Sequence, residues 1–197
     1  TETIVRQVAD IGRMVDEFSS FARMPKPTLS VGNLSESMRE AVFLLTVSNP
    51  HIEFNVDLGD EPLLAKFDGR LLGQAFGNLI KNATEAIEGF DYPDGETPQI
   101  TIQAQPGEEF HILDIIDNGK GLPVENRSRL LEPYMTTREK GTGLGLAIVS
   151  KILEEHGGSI QLRDAPQVAE GGHGAMVRIL VPAEQRDELS QGEQDGV

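Results

Sequence analysis

At 197 residues, 38% hydrophobic and 25% charged, the chain has the make-up of a soluble globular protein with one domain of ordinary size and room for an appendage. A formal charge of −15 excludes a surface built to grip nucleic acid, because that interaction runs on clustered Lys and Arg. With no cysteine there is no disulfide or thiolate metal site, and no window reaches the roughly 18 apolar residues of a membrane span.

The first apolar pattern is Ile4, Val8, Ile11, Val15, Phe18 and Ala22, spaced 4-3-4-3-4. This heptad seam predicts one long amphipathic helix over residues 1–24, ending before Pro25 and Pro27. Leaving its five large apolar side chains in water forfeits about 8–15 kcal/mol as an upper bound, so the helix needs a partner or folds back on its own domain. Residues 25–30 read as a linker, 31–183 as a folded domain, and 184–197 as an acidic tail too poor in apolar residues to fold.

Within the domain, Thr28 to Leu34 reads as extended, with Asn33 or Ser35 capping a helix through Leu45. His51 to Leu58 alternates as a half-buried strand, and Leu63 to Phe67 is its expected hairpin mate. Asp68 is placed to cap a helix from Gly69 to Glu88. One side of that helix is apolar (Leu72, Ala75, Phe76, Leu79, Ala83) and the other carries Gln74, Asn78, Lys81, Asn82 and Glu85. Two strands follow, Ile100 to Gln105 and Phe110 to Asp117, then a short helix over Val124 to Leu131 and a polar loop from Glu132 to Thr142. A buried helix from Gly143 to Glu155 is stopped by Gly157 and Gly158. Ser159 to Arg163 and Ala175 to Val181 are the closing strands.

Four groups in this order carry chemistry. The helix stripe holds two amides where a solvated face would carry Lys and Glu, and Asn costs helix propensity. Asn82 offers an oxygen to a hard cation such as magnesium, and Glu85, one turn on, could hold a metal-bound water. Asp117 ends a strand ahead of Gly119 and Gly121, so its carboxylate could accept from an exocyclic amine such as that of adenine, although Asp-Asn-Gly is also an ordinary turn. Gly141, Thr142, Gly143, Leu144 and Gly145 open a helix whose free N–H groups suit phosphate; the run is neither a dinucleotide fingerprint nor a P-loop. Lys81, Arg138, Lys140 and Lys151 are cations that could offset phosphate charge. His51, His111 and His173 have no acidic neighbour at catalytic spacing, and His156 sits at a helix C-terminus, where the dipole favours it.

Asn78-x-x-x-Asn82-Ala83, Asp117-x-Gly119-x-Gly121, Glu132-Pro133-Tyr134-Met135-Thr136-Thr137, Gly141-Thr142-Gly143-Leu144-Gly145-Leu146 and Gly174 through Pro182 together resemble the N, G1, F, G2 and G3 boxes of sensor histidine kinases. The resemblance implies an α+β fold, the Bergerat-type α/β sandwich shared with gyrase, Hsp90 and MutL, preceded here by the long helix. It implies ATP with magnesium: Asp117 reading adenine beside Gly119 and Gly121, Asn82 on the metal, Asn78 and Lys81 supporting phosphates. Thr137, Arg138 and Lys140 would act from a lid spanning Glu132 to Lys140, and Gly141, Thr142, Gly143, Leu144 and Gly145 would wrap the phosphates. The first helix resembles the second helix of the dimerisation and phosphotransfer hairpin, and its ending Phe18-Ser-Ser-Phe21-Ala22-Arg23-Met24-Pro25 is similar to nitrogen-regulation sensor kinases of the NtrB/NtrY type. That resemblance implies a homodimer through this helix, a response-regulator receiver domain as partner, and a cytoplasmic domain of a membrane-anchored parent.

Departures from the family pattern are Tyr134 for Phe, Met135 for a second aromatic, Arg138 for Lys, Val177 for the last-box Phe, and the absence of the His-Glu/Asp-x-x-Asn/Thr-Pro phosphoacceptor segment. The chain is therefore expected to be a fragment of a longer kinase that does not phosphorylate itself. Hydrolysing members of the superfamily place a Glu base where Asn78 stands, and an amide takes no proton from water. Phosphoryl transfer to a histidine outside the chain is the resulting expectation. A regulatory ATP-binding module, an anti-sigma-type serine kinase and a slow ATPase are the alternatives.

Overall fold

The computed structural model describes residues 8, 12, 15, 19, 23–88, 90–136 and 141–184. In chain order the elements are β1 (Ser30–Asn33), α1 (Leu34–Ser48), β2 (Glu53–Asp57), β3 (Leu64–Phe67), α2 (Gly69–Glu88), β4 (Gln99–Gln105), β5 (Phe110–Asp117), a 3-10 turn (Arg127–Leu131), α3 (Gly145–Glu155), β6 (Ser159–Asp164), a second 3-10 turn (Pro166–Glu170) and β7 (Ala175–Pro182). Five strands form one sheet in the order β2-β4-β5-β7-β6, and β1 pairs with β3 in a separate ribbon.

Strand alternation explains the layers. Ile100 and Ile102, Leu113 and Ile115, and Ile179 and Val181 turn to one face and pack with Met38, Leu72, Phe76, Leu79, Ile148 and Ile152 from the three helices. Each such side chain, when fully buried, contributes about 1.5–3 kcal/mol. The expected α/β sandwich is therefore present. On the other face Asp114 and Arg178, opposite one another across β5 and β7, form a bidentate ion pair of 2.8 and 2.7 Å.

Two caps set the frame. Asn33 accepts from the Ser35 N–H at the start of α1, which runs to Ser48, three residues beyond the expected Leu45. Asp68 accepts from the N–H groups of Arg70 and Leu71 at the start of α2 and, through its other oxygen, from Thr28. The Thr28 bond most of all holds the Asp68 carboxyl below its ordinary range, opposed by burial and helped by Leu71 and Arg70. A depressed folded-state pKa contributes stability that is present above the unfolded value of about 3.9 and is lost as pH falls through the folded one. Asp68→Ala is expected to lower stability by about 1–2 kcal/mol in a urea titration at neutral pH. Its deficit relative to wild type should shrink on acidification below about pH 4.

The ends of α2 and α3 are tied together. His156 donates from Nδ1 to Ile152 O (2.6 Å) and accepts the Asp68 N–H at Nε2 (3.0 Å), so it is a buried neutral brace. His111 likewise donates from Nε2 to Leu64 O and accepts from the Gly107 N–H.

Three expectations change. Leu64–Phe67 is not the hairpin mate of β2: it pairs antiparallel with β1, while β2 pairs parallel with β4. The intervening turn is drawn onto α1 by Ser35 donating to Leu58 O and Arg39 to Gly59 O, and Asn33 then receives the Leu63 N–H, which hands the chain to β1. The helix expected over Val124 to Leu131 shrinks to a 3-10 turn, because Asn126 adopts a left-handed conformation (φ 57°) that ends helical continuity. The helix expected from Gly143 starts at Gly145, since Gly143 itself is left-handed at φ 69°.

At the N-terminal end Val8, Gly12, Val15 and Ser19 are helical, and Val8 and Val15 are 63% and 55% exposed. Ile4, Ile11, Phe18 and Ala22 of the heptad stripe lie outside the described residues, as do residues 185–197 of the acidic tail. No helix among the described residues is long and apolar enough to cross a membrane.

Candidate nucleotide site

Helix α2 is the platform. Its apolar stripe is buried, which fixes the opposite stripe: Gln74, Asn78, Asn82 and Glu85 are half-buried and Lys81 is exposed. Lys81 Nζ lies 3.9 Å from Glu85 Oε1, one turn on. The cation and the acid assigned to phosphate and metal water therefore face each other.

Asp117, 5% exposed, ends β5 opposite Ile100, so its side chain belongs to the helix-facing side of the sheet. Its Oδ1 accepts the Gly119 N–H at 2.9 Å. The turn lies directly on α2: a Cβ at Gly119 would stand 2.5 Å from the Ala86 carbonyl carbon, and the Lys120 N–H reaches Ala86 O at 3.3 Å. Only glycine permits that approach. Asn118 locks the turn from behind, accepting from the Gln99 N–H (2.8 Å) and the Tyr92 hydroxyl (3.1 Å) and donating to Thr97 O (2.8 Å). Burial, then the charges of Asp117 and Glu96, push the Tyr92 phenol up to about 12, which keeps it a donor.

The glycine run comes to the same helix. The Cβ position of Gly145, first residue of α3, is 3.9 Å from both side-chain polar atoms of Asn82. No side chain caps α3, and no acid lies in its first turn. The N-terminal end of α3, which carries the positive end of its dipole, therefore lies beside the Asn82 amide. Thr142 accepts the Leu144 N–H at 3.3 Å. The preceding loop meets the run as well: the Tyr134 N–H donates to Gly143 O at 3.0 Å, and a Cβ at Gly143 would stand 2.6 Å from the Tyr134 carbonyl carbon. Tyr134 adopts φ 66°, a left-handed conformation costing a non-glycine residue about 1–2 kcal/mol.

Asn82, Glu85, Asp117, Gly119, Gly143 and Gly145 are thus gathered around one stretch of α2, with Asn78 and Lys81 on the same stripe. Gly121, Gly141, Thr142 and Leu144 lie on the same turn and run. Thr137, Arg138 and Lys140 fall outside the described residues. Asn118 and Tyr92 join the turn without being among the site residues expected from the sequence. Asn118 was hidden because its three bonds reach residues distant in sequence.

A cavity of about 400 Å³ also touches Asp117, but its walls include Thr101 and Ile116. These pair across β4 and β5 and alternate with the core-facing Ile100, Ile102 and Ile115. The cavity therefore opens on the sheet face away from the helices and is distinct from the site on α2.

Residues 67–185 match the family model described as histidine kinase-, DNA gyrase B-, and HSP90-like ATPase. The chain belongs to this family. The family's description is that of an ATPase, and the amide helix, the Asp117 turn and the glycine run all lie within the matched residues. The chain is 54% identical over 184 residues to the nitrogen regulation protein NtrY of Azorhizobium caulinodans, covering 93% of this chain and 23% of that relative's length. A mycobacterial sensor histidine kinase, MprB, superposes with a TM-score of 0.68 at 25% identity, over 80% of this chain and 99% of that one. Histidine kinase ThkA, solved in complex with response regulator TrrA, superposes at 0.72 with 24% identity, over 92% of this chain and 50% of that one, and supports the fold. The resemblance to sensor histidine kinases of the nitrogen-regulation type is borne out.

Proposed function

We propose that this chain is the ATP-binding catalytic part of a sensor kinase, transferring the γ-phosphoryl group of ATP to a histidine outside the chain for relay to a receiver-domain aspartate. The observation that carries the reading is the Asn82 amide set against the uncapped start of α3, on the same helix that supports the Asp117 turn. In this reading Asp117 accepts from the adenine amine, Gly119 and Gly121 let the base approach, and Gly141, Thr142, Gly143, Leu144 and Gly145 surround the phosphates. Asn78 and Lys81 support the phosphates, and Thr137, Arg138 and Lys140 reach them from the lid.

Magnesium fits the donor set, a hard amide oxygen with a carboxylate one turn on, and among the described residues no cluster of three or more His, Asp or Glu competes for it. Asn82 would hold the ion and Glu85 would act through water; when bound, the metal neutralises phosphate charge. Asn78 holds no proton-accepting group, so water is not activated from that position, and transfer relies on positioning and charge neutralisation. The partners in this reading are a second copy through the N-terminal helix and a receiver domain, and the parent protein anchors in the membrane through segments other than these. The structure solved for ThkA with a response regulator supports the receiver-domain partner.

The test is transfer in trans. With labelled ATP and magnesium the chain is expected to remain unlabelled while it labels an added hairpin segment bearing a phosphoacceptor histidine, giving an acid-labile product. Label on His51, His111, His156 or His173 of the chain itself would overturn the assignment.

A further inference from the structure

Behind the Asp117 turn, on the sheet face away from α2, one amide side chain reaches back from the connection between β6 and β7 into the wall of the cavity there. Gln167 Nε2 donates to His173 O at 3.0 Å and to Asp117 O at 3.4 Å. Asp117 and Ala175 are the last pair of the β5–β7 ladder, so the side chain bridges the two strands where their pairing stops. The connection itself holds Gln167 in place. Its neck is closed by the Ala165 N–H donating to Gly174 O at 3.3 Å, and the Gly172 N–H donates to Gln167 O at 2.9 Å. A Cβ at Gly172 would stand 3.1 Å from Gln167 Cγ, so the loop lies directly on the side chain. Gly174, at φ 124°, approaches the same strand end so closely that a Cβ there would overlap Asp117 O.

Both oxygens are main-chain carbonyls, which only accept, so the atom between them is the amide nitrogen, whose two N–H groups serve one each. Asp117 O belongs to the peptide plane that joins the residue assigned to adenine with Asn118, which locks the turn to Gln99, Tyr92 and Thr97. That plane is rigid, and its tilt sets where Asn118 and Gly119 stand relative to the Asp117 carboxylate. Gln167 therefore grips the main chain from one face of the sheet while the carboxylate belongs to the other. A residue that only closed its own loop would need the bond to His173 alone. The bond to Asp117 O reaches 50 residues back in the chain, to the end of β5.

We infer that Gln167 is a positioning residue for the adenine-reading turn, holding the Asp117 peptide plane to the start of β7 through its side-chain amide. The inference rests on the nucleotide site proposed above. Without the donor, the turn spends part of its time in arrangements where the carboxylate does not meet the base. Apparent affinity then falls in proportion to the fraction of molecules with the turn in place. Asn82 and the glycine run make no contact with Gln167 in this assembly, so the loss falls on recognition of the base, and the preference for ATP over GTP narrows with it.

Three substitutions separate the donor from the shape. Gln167→Met keeps the length and the packing under Gly172 but cannot donate, Gln167→Glu keeps the outline and sets a carboxylate against two carbonyls, and Gln167→Lys keeps a donor of similar reach. Calorimetry with ATP and magnesium on the whole chain is expected to show Q167M and Q167E binding roughly three- to ten-fold more weakly than wild type, and Q167K within about two-fold of it. Wild-type affinity in Q167M would overturn the inference. So would a Q167K as weak as Q167M, because side-chain shape and not donation would then be at work. The turn is also read without nucleotide, by hydrogen exchange at the Gly119 N–H that Asp117 Oδ1 holds. That amide should exchange faster in Q167M and Q167E than in wild type and Q167K, while amides within β5 keep their rates. Equal rates at Gly119 in all four proteins would overturn the inference, and an equal rise throughout β5 would make Gln167 a support of the whole fold instead. A wild type that gives no heat with ATP sinks the nucleotide reading, while the exchange rates still decide whether Gln167 holds the turn.

Discussion

Asp117→Ala is expected to weaken ATP binding by roughly 10- to 100-fold, the loss of one hydrogen bond to a charged group worth about 1.5–3 kcal/mol. The carboxylate is nearly closed off by protein at 5% exposure, so water does not make good the missing acceptor. Part of the loss has another source, because the same carboxylate holds the Gly119 N–H at 2.9 Å and so shapes the turn. Nucleotide choice separates the two. Guanine carries a carbonyl where adenine carries its amine, so the wild type should prefer ATP to GTP by calorimetry, and Asp117→Ala should erase that preference as well as lower both affinities. A folded variant that still prefers ATP undiminished would remove the adenine assignment and leave Asp117 as a turn residue only.

What could be read from the chain alone was what local chemistry encodes. The limits of α2 were legible because Asp68 is a cap, an apolar stripe recurs at helical spacing, and the residues after Glu88 break the period. Strands β4 and β5 were legible because alternation and Pro106-Gly107 mark a hairpin. The partner of β2 was not legible. A strand's mate is fixed by long-range bonds, here those of Asn33, Ser35 and Arg39, and β2 and Leu64–Phe67 are close enough in sequence to imitate a hairpin.

The site divides in the same way. Asn82, Asp117 and the glycine run each allow an ordinary reading, and their common location follows from folding, which seats Gly145 at Asn82 and Gly119 on Ala86. His173 has no acidic neighbour in sequence at catalytic spacing. Its neighbour Glu96 comes from the loop before β4, brought there by Asn118 holding Gln99 and Thr97. Val177, where the family has Phe, is half-buried in β7 and packs on the core, so the substitution changes a packing contact and leaves the polar site intact.

Gly119→Val and Gly143→Val should fail in different ways, although each glycine faces a backbone closer than any side chain tolerates. At Gly119 the added Cβ would stand 2.5 Å from the Ala86 carbonyl carbon and 2.8 Å from the Ile87 nitrogen, in a part of α2 whose apolar face is core. Relief requires moving the helix against the sheet or moving β5. The expected result is a global loss of at least about 1–3 kcal/mol in a urea titration, together with loss of ATP binding. At Gly143 the Cβ would stand 2.6 Å from the Tyr134 carbonyl carbon and 2.8 Å from the Met135 nitrogen, and φ 69° adds about 1–2 kcal/mol of strain for valine. The opposing segment, Tyr134 to Thr136, contributes no core residue and joins the run through the Tyr134 N–H to Gly143 O bond, so it can separate without opening the core. Gly143→Val should therefore keep its urea midpoint within about 1 kcal/mol of wild type while ATP affinity falls at least tenfold. Equal global destabilisation by the two variants would mean that the Tyr134 segment is part of the core's cooperative unit, which would rule it out as a loop free to open and close over the phosphates.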